Sequence, residues 1–106
     1  IYLPIVIEFN AKVAGAKYAD VAKRLGLKGD NEKELVASLI QLVLQLNKKM
    51  NIPKSLMAFG LKESIFLENI ENIAINAVAD PCTGTNPREI TADQMKELFM
   101  KAYYGA

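Results

Sequence analysis

The residues best suited to chemistry lie together between Asp80 and Thr91, in the stretch Asp-Pro-Cys-Thr-Gly-Thr-Asn-Pro-Arg-Glu-Ile-Thr. It contains Arg88 and the only cysteine of the chain, Cys82. A thiol is a potential nucleophile, and a guanidinium can anchor a phosphate or carboxylate or tie a loop to carbonyls at a helix end. Asp80 and Asn86 precede prolines, which disfavours helix there, so we expect their side chains to brace turns. If the chain does chemistry, this stretch is the first place to look.

The complete absence of histidine restricts the chemistry further. A histidine-based metal site, a Ser-His or Cys-His pair and a histidine general base are impossible within this chain. The six glycines are scattered, and they form no phosphate-cradling motif. Catalysis by these residues alone would have to rely on carboxylates, lysines, tyrosines or Cys82.

Composition narrows the class of protein. A length of 106 residues fits one domain, and 51% hydrophobic with 24% charged residues is ordinary for a soluble globular protein. A net charge of +1 provides no field that would gather nucleic acid or anionic lipid. The longest apolar-rich run, 35–46, is interrupted by Ser38, Gln41 and Gln45, so we expect no membrane span. One cysteine excludes an internal disulfide and fits a cytoplasmic protein.

Apolar periodicity predicts an all-α fold, a single small helical domain of about five helices with short loops. The predicted helices cover approximately 1–9, 13–25, 31–51, 62–79 and 91–104, with one helical turn at 55–59. In segment 1–9 the β-branched residues favour a strand, whereas Pro4 suits a first helical turn. Because no partner strand follows, helix is preferred there. In 62–79 we expect Phe66, Ile70 and Ile73 on one line with Ala77, and glutamates and asparagines on a solvated face.

Capping signals mark the predicted helix ends. Gly26 is placed as a left-handed C-cap. Asn31 with Glu34, and Thr91 with Gln94, have the spacing of a capping box, in which each side chain satisfies a free backbone N–H of the first turn. We expect Tyr103 and Tyr104 to dock the last turn onto the body of the domain.

The stretch from Asp80 resembles the near-C-terminal signature of the iron-containing alcohol dehydrogenases, D-x-C-T-x-x-N-P-R followed by a short helix. The matching residues are Asp80, Cys82, Thr83, Asn86, Pro87 and Arg88. Two further stretches resemble segments of that family in the same order: Leu3-Pro4 with Glu8-Phe9-Asn10, and Leu46-Asn47 with Ile52-Pro53-Lys54-Ser55-Leu56. Residues 1–106 are thereby identified as the C-terminal part of a helical (dehydroquinate synthase-like) domain.

The resemblance implies an oxidoreductase whose N-terminal α/β domain binds NAD(P) and whose helical domain holds iron through one aspartate and three histidines. It implies that these ligands and the nucleotide-binding half lie upstream of Ile1, so that this chain alone binds neither iron nor NAD(P) and is inactive. Cys82, with Thr83 beside it, is implied to line the active-site cleft of the intact enzyme without a catalytic role. The alternative for Cys82 is a small buried hydrophobe.

The first residues also suggest a larger protein. The chain begins Ile1-Tyr2-Leu3-Pro4, without a methionine, and we expect a cut through a longer polypeptide whose cofactor domain is the missing partner. Helices that lost their neighbours expose apolar stripes, which predicts self-association, with 1–9 repacked or exchanged between copies. The competing hypothesis is a small helical adaptor that binds a partner through an apolar groove.

Overall fold

The computed structural model describes residues 1–105, and within this range the regular elements are helices, with no strand. The helices are α1 (Leu3–Arg24), α2 (Glu32–Lys49), α3 (Leu56–Phe59), α4 (Glu63–Ala79) and α5 (Ala92–Tyr104), and a 3-10 turn, Pro81–Thr85, lies between α4 and α5. The all-α prediction of about five helices is confirmed. Contacts group the chain into two compact units, Tyr2–Ile52 and the part from Pro53 onward.

The predicted break between residues 9 and 13 is absent. A single helix, α1, continues through Asn10-Ala11-Lys12, because none of these residues stops a helix as proline or a C-cap glycine would. Asn10 is buried in the middle of this helix. The choice of helix over strand is correct from Leu3 onward, and Pro4 lies in the first turn as predicted. Although two of the predicted helices form the single helix α1, five helices are still observed, because the predicted turn at 55–59 forms α3.

In the unit Tyr2–Ile52, α1 and α2 pack side by side. Their shared core is formed by Ala19 and Ala22 of α1 and by Leu35 and Leu39 of α2. The alanines let the two backbones approach while the leucines fill the space between them. At the end of α1, Gly26 has φ +74°, as predicted for a left-handed C-cap. Its N–H donates to Lys23 and that of Leu27 to Ala22, both at 3.0 Å.

The start of α2 departs from the predicted capping box in one bond. The N–H of Glu34 donates to Asn31 Oδ1 at 2.9 Å, as expected of an N-cap. The Glu34 carboxylate, however, accepts from the N–H of Asp30 at 2.6 Å. The reciprocal bond therefore reaches one residue further back than in the standard motif.

In the unit from Pro53 onward, α4 packs against α5. Tyr103 stacks on Phe66 with ring centroids 4.4 Å apart, and the Tyr103 hydroxyl donates to the carbonyl of Leu61 at 2.9 Å. The predicted docking is confirmed for Tyr103, whereas Tyr104 is 46% exposed. The buried line of α4 runs through Phe66, Ile70 and Ala74. Ile73, predicted on that line, is 38% exposed, because burial follows every fourth residue here.

The capping box at the start of α5 forms as predicted. The N–H of Gln94 donates to Thr91 Oγ1 at 3.2 Å, and the N–H of Thr91 donates to Gln94 Oε1 at 3.0 Å. Both bonds satisfy donors that the first turn of the helix leaves free. The start of α5 is thus fixed by hydrogen bonds between residues only three positions apart.

Removal of this cap should weaken the fold. Thr91→Ala is expected to lower the free energy of unfolding by about 1 kcal/mol, because the N–H of Gln94 loses its acceptor. Thr91→Ser keeps the hydroxyl and is expected to stay close to the parent chain. Urea denaturation followed by circular dichroism measures both changes. Equal stability of the alanine and serine variants would contradict a capping role.

Candidate functional site

The candidate site is the connection between α4 and α5, which holds Cys82 and Thr83. Asp80 ends α4 in an extended conformation, with φ −61° and ψ 132°, as expected of a residue that precedes a proline. Its Oδ1 accepts a hydrogen bond from the N–H of Cys82 at 2.7 Å. Asp80 therefore caps the following 3-10 turn, Pro81–Thr85, through its own side chain.

Further side chains of the same segment brace this turn. The Thr83 hydroxyl donates to the carbonyl of Ala77 at 2.5 Å, and so ties the turn back to the end of α4. The Thr85 hydroxyl donates to the carbonyl of Cys82 at 2.7 Å. Asn86 Nδ2 donates to the carbonyl of Arg88 at 2.7 Å. The prediction that Asp80 and Asn86 act as local turn braces is confirmed.

The two predicted site residues are adjacent but differ in surroundings. Cys82 is exposed, so in this chain its thiol is not a buried hydrophobe. Thr83 is half-buried, and its hydroxyl proton is engaged with Ala77. Their placement on the wall of a cleft stays a prediction. Arg88 is half-buried in the same segment, and its role as an anchor or a tie also stays a prediction.

The 3-10 turn is suited to hold the thiol of Cys82 in position, but not to activate it as a nucleophile. The Asp80 carboxylate is the acidic group closest along the chain, and one of its oxygens is bound to the N–H of Cys82. Activation of a thiol needs a base or a neighbouring positive group within hydrogen-bond reach. The chain has no histidine to serve as that base. Cys82 therefore fits a contact residue better than a nucleophile.

The described residues offer no ligand set for iron. Within 1–105, no three cysteine, aspartate or glutamate side chains come together as a group that could hold a metal ion. A ferrous site of the kind implied by the resemblance therefore does not fit the residues present, and we assign no metal-dependent step to them. None of the described helices is long and apolar enough to cross a membrane.

A groove that the sequence reasoning missed lies between α1 and α2. It has a volume of about 640 Å³ and includes both carboxylates and ammonium groups in its lining. The lining residues are Glu8, Ala11, Lys12, Glu32, Lys33, Val36, Ala37, Ile40 and Gln41. The signal in the sequence was the pair of small residues Ala11 and Ala37, which leave space between the helices.

The adjacent tyrosines at the end of α5 have perturbed ionisation. Burial raises the pKa of Tyr103, and the Glu63 carboxylate raises it further. The same two causes raise the pKa of Tyr104. Both phenols therefore stay protonated beyond the pH at which an ordinary tyrosine ionises. Tyr103 acts as a structural donor to Leu61, not as an acid or base near neutral pH.

The raised pKa of Tyr103 predicts that the fold loses stability at alkaline pH. A group whose folded-state pKa is raised contributes stability that is fully present below its unfolded pKa and is lost as the pH rises towards its folded pKa. For Tyr103 the loss should begin near 10.0, the ordinary pKa of a tyrosine. Tyr103→Phe removes the ionisable group, so its melting temperature should depend less steeply on pH above that value. Tyr18→Phe, in the other unit, is the control. Identical pH profiles for Tyr103→Phe and the parent chain would contradict the assignment.

Comparison with known proteins shows that the sequence is similar to those of one group of enzymes. The sequence model described as "Fe-containing alcohol dehydrogenase family, C-terminal" matches residues 1–103. The chain is 48% identical over 105 residues to the NADPH-dependent butanol dehydrogenase of Clostridium saccharobutylicum, covering 99% of this chain and 27% of that protein. It is 36% identical over 105 residues to the lactaldehyde reductase of Escherichia coli, covering 97% and 26%.

A third relative is a longer protein. The chain is 32% identical over 100 residues to the bifunctional aldehyde-alcohol dehydrogenase of Escherichia coli, covering 92% of this chain and 11% of that protein. The chain thus spans about a quarter of the length of the first two relatives and about a tenth of the third.

Proposed function

Because this chain belongs to the Fe-containing alcohol dehydrogenase family, we propose that it is the C-terminal part of the helical domain of an NAD(P)-linked alcohol/aldehyde oxidoreductase. The observation that carries the proposal is the family match over 1–103, from the first residue almost to the last. Iron and NAD(P) would be bound in the longer polypeptide by residues outside this chain. This chain covers only 27% of the butanol dehydrogenase, which supports the proposal that iron and NAD(P) are bound by other parts of the longer polypeptide.

The contribution of this chain is a wall of the substrate cleft. Cys82 would contact substrate, and Thr83 would hold the turn that presents it. Two observations support this role: the thiol is exposed, and the backbone around it is held by side chains of its own segment. A contact residue needs a fixed position but no activating base, which is what the turn provides.

On its own the chain is proposed to be inactive. A longer polypeptide that contains it, loaded with ferrous iron, is expected to reduce NADP with butan-1-ol, chosen as a probe from the name of the 48% identical relative. The 106-residue chain under the same conditions is expected to give no alcohol-dependent signal. Turnover by the short chain would overturn the proposal, as would an iron-loaded longer polypeptide with no activity on any alcohol or aldehyde.

Substitutions at Cys82 test the cleft-lining role in that longer polypeptide. Cys82→Ser changes volume little and is expected to keep kcat within several-fold of the parent enzyme. Cys82→Phe fills space beside the substrate and is expected to raise KM for longer alcohols more than for ethanol. Loss of turnover in Cys82→Ser would show a catalytic thiol instead. Unchanged kinetics in both variants would place Cys82 away from the cleft.

We also propose that the isolated chain self-associates. Large apolar side chains are exposed at several positions, among them Phe59 at 70%, Val13 at 62% and Met50 at 61%. Exposed apolar surface of this kind tends to find a partner. Sedimentation equilibrium at micromolar concentration is expected to give a mass above the 11.7 kDa of one chain. A clean monomer over that range would contradict the proposal.

Under the alternative adaptor hypothesis, the groove between α1 and α2 would be the partner-binding site. Its lining includes Val36 and Ile40, which an apolar partner side chain could contact. The family match favours the enzyme, and the groove is kept as the location to which an adaptor function would be assigned if the longer polypeptide proved inactive.

A further inference from the structure

Gly84 is an exposed residue in the 3-10 turn Pro81–Thr85, two positions after Cys82. Its φ lies outside the left-handed region that favours glycine. A Cβ at this position would have no atom within 4 Å apart from those of its two chain neighbours. The described fold therefore has both the backbone conformation and the space for a larger residue at position 84.

The other five glycines of the chain are each explained by the fold. Three of them have a positive φ, and these are Gly26, Gly60 and Gly105. At Gly15 a Cβ would overlap the carboxylate of Glu32, and at Gly29 it would lie 2.8 Å from the backbone nitrogen of Leu35. Either contact would force a neighbouring group to move. Gly84 has neither of these reasons to be glycine.

A glycine without such a reason weakens the fold. Glycine leaves the unfolded chain more conformational freedom than alanine does, so it lowers stability wherever alanine would fit without strain. A further reason for glycine is the close approach of a ligand to the main chain. Because no side chain or backbone of the described residues approaches Gly84 in this way, the approaching group lies outside them.

The geometry of the turn places Gly84 beside the thiol of Cys82. A 3-10 turn has three residues per turn, so successive residues point about 120° apart. The side of Thr83 faces the end of α4, because its hydroxyl donates to the carbonyl of Ala77. Cys82 and Gly84 flank Thr83 in the chain and are both exposed, so they occupy the two outward sides of the turn.

We infer that Gly84 is a specificity-determining residue of the proposed dehydrogenase. The open space beside its backbone receives the carbon chain of an aliphatic alcohol or aldehyde, and a side chain at this position would limit the length of chain that is accepted. The inference rests on the proposed function, in which Cys82 contacts the substrate. Glycine offers no side-chain donor or acceptor, which suits the apolar part of such a substrate and not its polar end.

The first measurement tests whether the local fold needs the glycine. In the 106-residue chain, Gly84→Ala is expected to leave the melting temperature unchanged or slightly raised, because alanine fits the conformation and narrows the unfolded ensemble. Gly26→Ala adds the same methyl group at a residue with φ +74°, and it is expected to lower the melting temperature. This control shows that the assay detects a glycine that the fold requires.

The second measurement uses the longer, iron-loaded polypeptide. Gly84→Ala is expected to raise KM for butan-1-ol about ten-fold more than KM for ethanol, because the added methyl group takes space from the longer chain. Gly84→Val should increase this discrimination further. Gly26→Ala, in the other unit, is expected to keep the parent ratio of the two KM values.

Each outcome supports or overturns the inference. A selective rise in KM for butan-1-ol, with the stability of the short chain kept, supports it. A lower melting temperature of the short chain would show that the turn itself needs glycine. Equal KM changes for both alcohols, or none, would place Gly84 away from the substrate chain. A fall in the melting temperature of the longer polypeptide, without discrimination between the alcohols, would show that protein and not substrate approaches the turn.

Failure of the inference is distinguishable from failure of the proposed function. A longer polypeptide that is inactive before any substitution overturns both. An active one whose selectivity is unaffected by Gly84→Ala and Gly84→Val overturns the inference alone.

Discussion

The contact between Tyr103 and Phe66 is the interaction on which the unit from Pro53 onward depends. The two rings stack with centroids 4.4 Å apart, and the hydroxyl of Tyr103 reaches the carbonyl of Leu61 at 2.9 Å. A stacked aromatic pair contributes apolar burial, and the hydrogen bond satisfies the one polar atom that burial would otherwise leave unpaired. Together they hold α5 along α4. The connection that carries Cys82 is thereby anchored at both of its ends.

Between those anchored ends, the connection is organised by short-range hydrogen bonds. Asp80 caps the turn, Thr83 ties it to Ala77, and Asn86 bonds to the carbonyl of Arg88. Polar side chains of this kind satisfy backbone groups that a loop cannot pair in regular structure. The result is an exposed thiol on a defined backbone, in a chain with no histidine to serve as its base. In the proposed function, such a segment contributes shape and contact to an active site whose metal and cofactor are held elsewhere.

The proposed division of roles rests on family membership. The residues of the chain match an enzyme family that is described as iron-containing, yet the described part of the chain assembles no group that could hold a metal ion. The same proposed division would account for the large apolar side chains that are exposed in the described structure. Such exposure is expected where a helical unit is completed by other parts of a polypeptide.

The sequence by itself determined the features that depend on neighbouring residues. The sequence predicted the all-α character of the chain. It also predicted the left-handed Gly26, the capping box of Thr91 and the turn braces Asp80 and Asn86, because caps and turns are set by interactions over three or four residues. Tertiary structure alone decided the features that depend on distant residues. It showed that Asn10 is buried, that Ile73 is exposed while Ala74 is buried, and that a groove opens between α1 and α2. Apolar periodicity gives the direction of a helical face, but only the partner that packs on it decides which of its residues are covered.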